Sequence, residues 1–258
     1  MTENAAMEKE LLFYEAYEQF YDMAAHSEAF SAFCADAFGE DFSQDGFSDI
    51  AQVNRILDYI PEREEPHILD IGCGNGKMLG YLQKQTGAWI YGFDYSRNAI
   101  RTARQRFPEK SDFIRGVIGQ VQYPPDKFDM ITSMDTLYFA PDMPDFLGQI
   151  LNWLKKGGVF FAAYQEGEVM PRTENAHTTV CAKALAQRGI PYEVFDITGQ
   201  TYDMFVKKRQ AARRHEADFE KENRREWFDM LMGQTEYADQ SRESFSEKMA
   251  RYIYIVRK

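Results

Sequence analysis

His67-Ile68-Leu69-Asp70-Ile71-Gly72-Cys73-Gly74-Asn75-Gly76 is the stretch that decides the fold. His67 to Ile71 is a short apolar run and predicts a buried strand. Glycines follow at alternate positions, and helical spacing then continues to about Gln85. A strand, a glycine loop and a helix start make a ligand loop. Glycine lets the backbone approach closely, and the first helical N–H groups are free to bind. The spacing is G-x-G-x-G, not the G-x-G-x-x-G of dinucleotide loops. Asp70 would repel a pyrophosphate but suits a ligand with an ammonium group.

Downstream, Ala88 to Phe93 predicts a second strand with Asp94 at its end. A carboxylate there can accept both hydroxyls of a ribose. Further strands are expected at Asp112 to Arg115, Phe128 to Ser133, Val159 to Tyr164 and Tyr192 to Asp196. Helices are expected at Ser96 to Arg106, Met143 to Leu154 and Glu174 to Arg188. This alternation predicts an α/β fold with a doubly wound parallel sheet. The stretch from Thr201 to Lys248 breaks it with long, charged helical sequence and reads as a lid. Tyr252-Ile253-Tyr254-Ile255-Val256 then predicts a closing strand.

Upstream, residues 7 to 36 read as helical, Gly39 to Gly46 as a break, and Ser48 to Ile60 as a helix capped by Ser48. Glu62 to Pro66 is a proline-bounded connector. The expected organisation is a cap over 1–62, a core over 63–200, a lid insertion over 201–248 and a final core strand over 249–258.

The charge is uneven. Of 258 residues, 30 are Lys or Arg and 41 are Asp or Glu, a net charge of −11. Residues 1–66 hold 16 acids and 3 bases, so the acidic excess sits in the cap. A hydrophobic fraction of 44% argues against global disorder. No apolar run approaches membrane-helix length and no secretory signal is visible, so no membrane partner is expected. Three cysteines without metal or disulfide spacing suit a reducing, cytoplasmic setting. The acidic balance disfavours nucleic acid as a partner.

His67 to Gly76, Asp94, Phe128-Asp129-Met130-Ile131 and Leu154-Lys155-Lys156-Gly157-Gly158 together resemble the motifs of class I S-adenosylmethionine-dependent methyltransferases, over about residues 50–165 plus the last strand. The resemblance implies a Rossmann-like, seven-stranded, mostly parallel sheet with its last strand antiparallel, flanked here by an N-terminal helical cap and a C-terminal helical lid insertion. It implies S-adenosyl-L-methionine as cofactor. Asp70, Gly72, Cys73, Gly74, Asn75 and Gly76 would hold the methionine portion, Asp94 the ribose, and Tyr95 would lie near the adenine. An acidic residue often reads the adenine edge; Val117 stands there, so backbone at Val117 and Ile118, or Gln120, takes that place. Met134, at the end of the fourth strand, completes the cofactor set.

Methyl transfer from a sulfonium mainly requires alignment of the acceptor and exclusion of water. The Pro-Pro-aromatic signature of nucleobase-amine members is missing after the fourth strand, and so is the Asp-Asn pair of metal-dependent members after the fifth. Both absences predict a metal-free enzyme acting on an N or O atom of a small molecule. Asp135 and Tyr138 are acceptor-side catalytic candidates, with helix capping and packing as competing roles. His177 is a candidate base, against a plain exposed histidine. Tyr14, Tyr17 and Tyr21 share one helical face, and Tyr21 is a candidate for the transfer channel, against simple cap packing. Glu166 and Glu236 could orient a cationic or amine-bearing acceptor. A nicotinamide oxidoreductase, a non-catalytic cofactor-binding module and an RNA methyltransferase are the alternatives.

Overall fold

Seven strands form one sheet in the computed structural model, which describes residues 11–258. They are β1 (His67–Ile71), β2 (Trp89–Asp94), β3 (Ser111–Arg115), β4 (Phe128–Met134), β5 (Leu154–Glu166), β6 (Glu193–Asp196) and β7 (Ala250–Arg257). Their spatial order is β3-β2-β1-β4-β5-β7-β6. The pairs β1–β2, β1–β4, β2–β3 and β4–β5 are parallel, and β7 runs antiparallel to both β5 and β6. The chain steps outward from β1 to β3, then returns to place β4 beside β1. That reversal opens a crevice at the carboxyl ends of β1 and β4.

Helices cover both faces of the sheet, which is why the strands read as continuous apolar runs. Alternate residues of each strand enter opposite halves of the core. Ile68, Ile90 and Phe161 pack with the cap and lid, while Leu69, Phe128 and Phe160 pack with Phe146 and Trp153 on the other side.

The first helical region is two helices, α1 (Tyr14–His26) and α2 (Glu28–Phe38). Ser27 breaks it by adopting an extended conformation, and its hydroxyl accepts the Phe30 N–H at 3.0 Å to restart the helix. The expected helical residues before 11 lie outside the described residues. α3 (Ile50–Leu57) is capped by Asp49, whose Oδ1 accepts the Gln52 N–H at 3.0 Å. Ser48, the expected cap, is used elsewhere. The helix expected over Glu174 to Arg188 is reduced to Val180–Gln187. Before it, Asn175 and Thr178 bond the backbone locally, with Asn175 N–H to Thr178 Oγ1 at 3.0 Å and His177 N–H to Asn175 Oδ1 at 2.9 Å. Such bonds compete with helix formation.

The lid helices begin at Thr198, with a long helix over Thr198–Arg214 and shorter ones over Glu216–Lys221, Arg225–Gln234 and Arg242–Lys248. They clasp the cap. Arg214 Nε lies 2.7 Å from Asp36 and Lys207 Nζ 3.4 Å from Asp49. Glu222 accepts the Ser27 hydroxyl at 2.6 Å and the Ala29 N–H at 2.7 Å, favourable for a carboxylate at the start of α2. The Phe47 and Phe205 rings stack at 5.2 Å. Among the described residues, no helix is long and apolar enough to cross a membrane.

Candidate active site

The glycine loop is tied to the end of β2. Gly72 and Cys73 donate N–H to Phe93 O at 2.9 and 3.1 Å, and Gly74 donates to Asp94 Oδ2 at 3.0 Å. Gly74 has φ +52°, and a Cβ there would lie 2.3 Å from the Tyr21 hydroxyl. The loop therefore needs glycine both for its left-handed backbone and for the close approach of α1. Asn75 supports the loop: its amide donates to Phe42 O and Ser43 O, at 3.3 and 2.8 Å, and its oxygen accepts the Lys77 N–H. Cys73 is buried against Gly92. Burial and the charges of Asp94 and Asp70 push its pKa well up, so it is a thiol and a filler rather than a nucleophile. Gly76 opens the following helix.

Both acids of the loop are buried. Asp94 Oδ1 accepts the Ser96 N–H at 2.9 Å, so each of its oxygens holds one backbone amide. Burial still pushes its pKa up to about 6. Asp70 accepts the Thr132 hydroxyl at 2.7 Å, and burial raises its pKa to about 7. Each carboxylate oxygen has two acceptor sites, so Asp94 keeps capacity for a pair of ribose hydroxyls.

A cavity of about 670 Å³ runs from these acids under α1 and the lid. Asp70, Gly72, Cys73, Gly74, Asn75 and Asp94 line it, as do Tyr95, Ile118 and Met134. Glu18 on α1 fixes the roof over this end, accepting the Ser96 hydroxyl at 2.5 Å and the Asn98 N–H at 3.2 Å. Tyr95 reaches Leu12 O at 3.2 Å and meets the rings of Tyr14 and Tyr17. Gly76 and Val117 are not among the cavity residues. The Val117 carbonyl accepts the Gln120 and Val121 N–H groups, so it is occupied within its own turn.

Tyr21, whose hydroxyl abuts Gly74, and Tyr138 also line the cavity. Both phenols are buried, which pushes their pKa values well up and leaves them protonated. Asp135 also lines the cavity, in a left-handed conformation with φ 58°. Its carboxylate is committed to Arg251, with Nη2 at 2.7 Å from Oδ2 and Nε at 3.0 Å from Oδ1. The other guanidinium donors reach Ser48 Oγ at 2.8 Å, Phe47 O at 2.9 Å and Gln52 Oε1 at 2.6 Å. All five N–H donors of this fully buried arginine are thereby used. Through this pair Asp135 anchors the cap loop to the sheet while it lines the cavity. His177 is corrected. It is exposed, outside the cavity lining, and bonded to the Tyr192 hydroxyl at 2.9 Å. Glu166 and Glu236 do not line the cavity. Glu166 faces Thr173, whose N–H and hydroxyl donate to it at 2.9 and 2.8 Å.

Four residues went unread in the sequence. Asp45, Glu168 and Trp227 line the cavity, and Arg251 stands behind it. Arg251 carried one signal, a charge at the head of an apolar strand. Glu168 is two residues beyond the glutamate singled out above.

A family model described as a methyltransferase domain matches residues 69–162. That match, to a methyltransferase domain, spans a little over a third of the chain. Solved structures that share the fold hold S-adenosylmethionine or S-adenosylhomocysteine. A sterol 24-C-methyltransferase of Aspergillus fumigatus is 31% identical over 134 residues, covering 50% of this chain and 34% of that protein. Phosphoethanolamine N-methyltransferase 1 of Arabidopsis thaliana is 31% identical over 144 residues, covering 54% of this chain and 27% of its own length. The chain thus spans about a third of the length of the curated relatives it matches. The fold is shared with Haemonchus contortus phosphoethanolamine N-methyltransferase 2, solved with phosphomonomethylethanolamine and S-adenosylhomocysteine, at TM-score 0.75 and 16% identity over 94% of this chain and 60% of that one.

The residues present fit the cofactor of a methyltransferase domain. Gly72 and Gly74 of the loop line the cavity, while the places where a Cβ would sit are filled by Thr136 and Tyr21. The two buried acids suit an ammonium and a ribose, and no basic side chain is among the described cavity residues to favour a phosphate.

Proposed function

We propose that the chain transfers a methyl group to an N or O atom of a small-molecule acceptor. The observation that carries this reading is the continuity of one cavity from Asp70 and Asp94 to a second chamber under Tyr17, Tyr138 and Trp227. When bound, S-adenosylmethionine supplies an electrophilic methyl group on a sulfonium. Asp70 and the glycine loop would hold its amino-acid end, Asp94 the ribose, and Tyr95 with Ile118 the adenine.

The chain's own residues orient the acceptor and exclude water. α1 and the lid roof the chamber with Tyr17, Phe20 and Met230. Tyr21 and Tyr138 are protonated and so donate hydrogen bonds rather than take protons. Glu168 is the group suited to take a proton from the acceptor, because burial raises its pKa. We read the transfer as metal-free, on the missing Asp-Asn pair after the fifth strand. The free, buried cysteines favour a cytoplasmic setting.

The basic stretch of the lid offers little to RNA. Lys207, Arg209, Arg214 and Arg225 face Asp49, Asp239, Asp36 and Glu216. The test is an acceptor screen by mass spectrometry with S-adenosylmethionine. A product 14 Da heavier, formed together with S-adenosylhomocysteine, supports the reading. Failure to bind S-adenosylmethionine at millimolar concentration overturns it.

A further inference from the structure

The cavity is one-sided in charge. Asp45, Asp70, Asp94, Asp135 and Glu168 line it, and its described lining holds no Lys, Arg or His. Three of these acids are accounted for. Asp135 is neutralised by Arg251, and Asp70 and Asp94 sit on the glycine loop and the end of β2. Asp45 and Glu168 remain. They stand in the same chamber, since the phenols of Tyr17 and Tyr138 both feel the charges of both carboxylates. The Asp45 charge adds to burial in raising the pKa of Glu168, while the Lys208 charge and a hydrogen bond with Gln165 act the other way. Asp45 meets the amide of Gln234 at 3.4 Å, a neutral partner. Lys208 itself donates to Gly46 O at 3.3 Å and lies over the Phe47 ring, outside the cavity lining.

Two carboxylates at a cavity wall with aromatic faces around them form a receptor for an organic cation. The same inventory rejects anions, because a buried phosphate needs basic or N–H partners. This chain therefore parts from the Haemonchus contortus neighbour, whose bound ligand carries a phosphate. We propose that the acceptor is an organic amine without a phosphate or other anionic group, bound as its ammonium by Asp45 and Glu168 between Tyr17, Tyr138 and Trp227, and that Glu168 takes the ammonium proton to free the nitrogen lone pair before methylation. The proposal rests on the methyl-transfer reading above and narrows its acceptor.

Isothermal titration calorimetry on the full chain tests it without turnover. S-adenosylhomocysteine is titrated first, and each probe is then added to the saturated complex. The probes are benzylamine, benzyltrimethylammonium, benzyl alcohol and benzyl phosphate, which share a ring and differ in head charge. Both cations should bind at least tenfold more tightly than the alcohol, and benzyl phosphate should not bind. Asp45→Asn and Glu168→Gln should each weaken benzylamine at least fivefold and leave benzyl alcohol unchanged. The proposal is overturned if the alcohol or phosphate matches the amine. It is equally overturned if no probe binds the complex, or if both variants keep the amine affinity. Loss of S-adenosylhomocysteine binding itself would instead remove the methyl-transfer reading.

Discussion

Arg251 and Asp135 meet as a buried ion pair, Nη2 to Oδ2 at 2.7 Å, although 116 positions separate them in the chain. The pair joins β7 to the end of β4, and through Ser48, Gln52 and Phe47 O it fixes the loop that carries Asp45. Removing one partner of such a pair leaves an uncompensated buried charge, at about 3–5 kcal/mol. Arg251→Met should lower unfolding free energy by that order in urea titration. Limited proteolysis should then cut within residues 40–49, because the loop loses its anchor. A stability within 1 kcal/mol of the parent, which is about the scale of an ordinary hydrogen bond, would deny the anchoring role.

Asp94 gives the cofactor end its rigidity by holding Gly74 N–H and Ser96 N–H at once. Asp94→Ala should weaken S-adenosylhomocysteine binding by about 1.5–3 kcal/mol for each hydrogen bond lost to the carboxylate. Asp94→Asn, which keeps the shape, should lose less. Equal affinity in all three proteins, read by calorimetry, would remove Asp94 from the ribose site.

Gly74→Ala should abolish cofactor binding with the fold retained by circular dichroism. The new Cβ would meet the Tyr21 hydroxyl at 2.3 Å and the ring carbon behind it at 2.9 Å. Adding Tyr21→Phe should restore part of the affinity, since the hydroxyl is the worse clash. Full recovery is not expected, because alanine at φ +52° costs about 1–2 kcal/mol.

The raised pKa values of Asp70, about 7, and Asp94, about 6, set the direction of a pH effect. In the unfolded chain both ionise near pH 4. The folded chain therefore holds more protons between pH 4 and 7, and the stability from these two groups is present below pH 4 and lost as pH rises through 6 and 7. A bound ammonium favours the ionised acids, so cofactor affinity should rise across the same interval. Calorimetry at pH 5.5 and 7.5 checks this, and Asp70→Asn should flatten the difference. An affinity that falls with pH would contradict the assignment.

The strands and the glycine loop were legible because local pattern decides them. Leu69, Ile71, Ile90 and Phe93 are buried by helices on both faces and so read as strands wherever they pair. Ser27 is a local cap, accepting the Phe30 N–H, but the apolar helical spacing on both sides of it hid the break. The helix expected from Glu174 shortened for a local reason, the Asn175 and Thr178 turn bonds. The acceptor chamber was the least legible part. Asp45, Glu168 and Trp227 come from three separate segments, and no spacing in the sequence links them. Tyr21 was found because it shares a helical face with Tyr14 and Tyr17. Asp135 was singled out, but its ion pair was not legible, because its partner lies on the last strand.

The anchoring of the cap loop by β7 sets an order on biosynthesis. A nascent chain that has reached residue 197 carries the glycine loop, Asp94 and the whole cap, yet it lacks Trp227 and Arg251. Asp135 then has no counter-charge, and residues 44–48 have nothing behind them. The loop of residues 44–48 gains its anchor only when β7 enters between β5 and the edge strand β6.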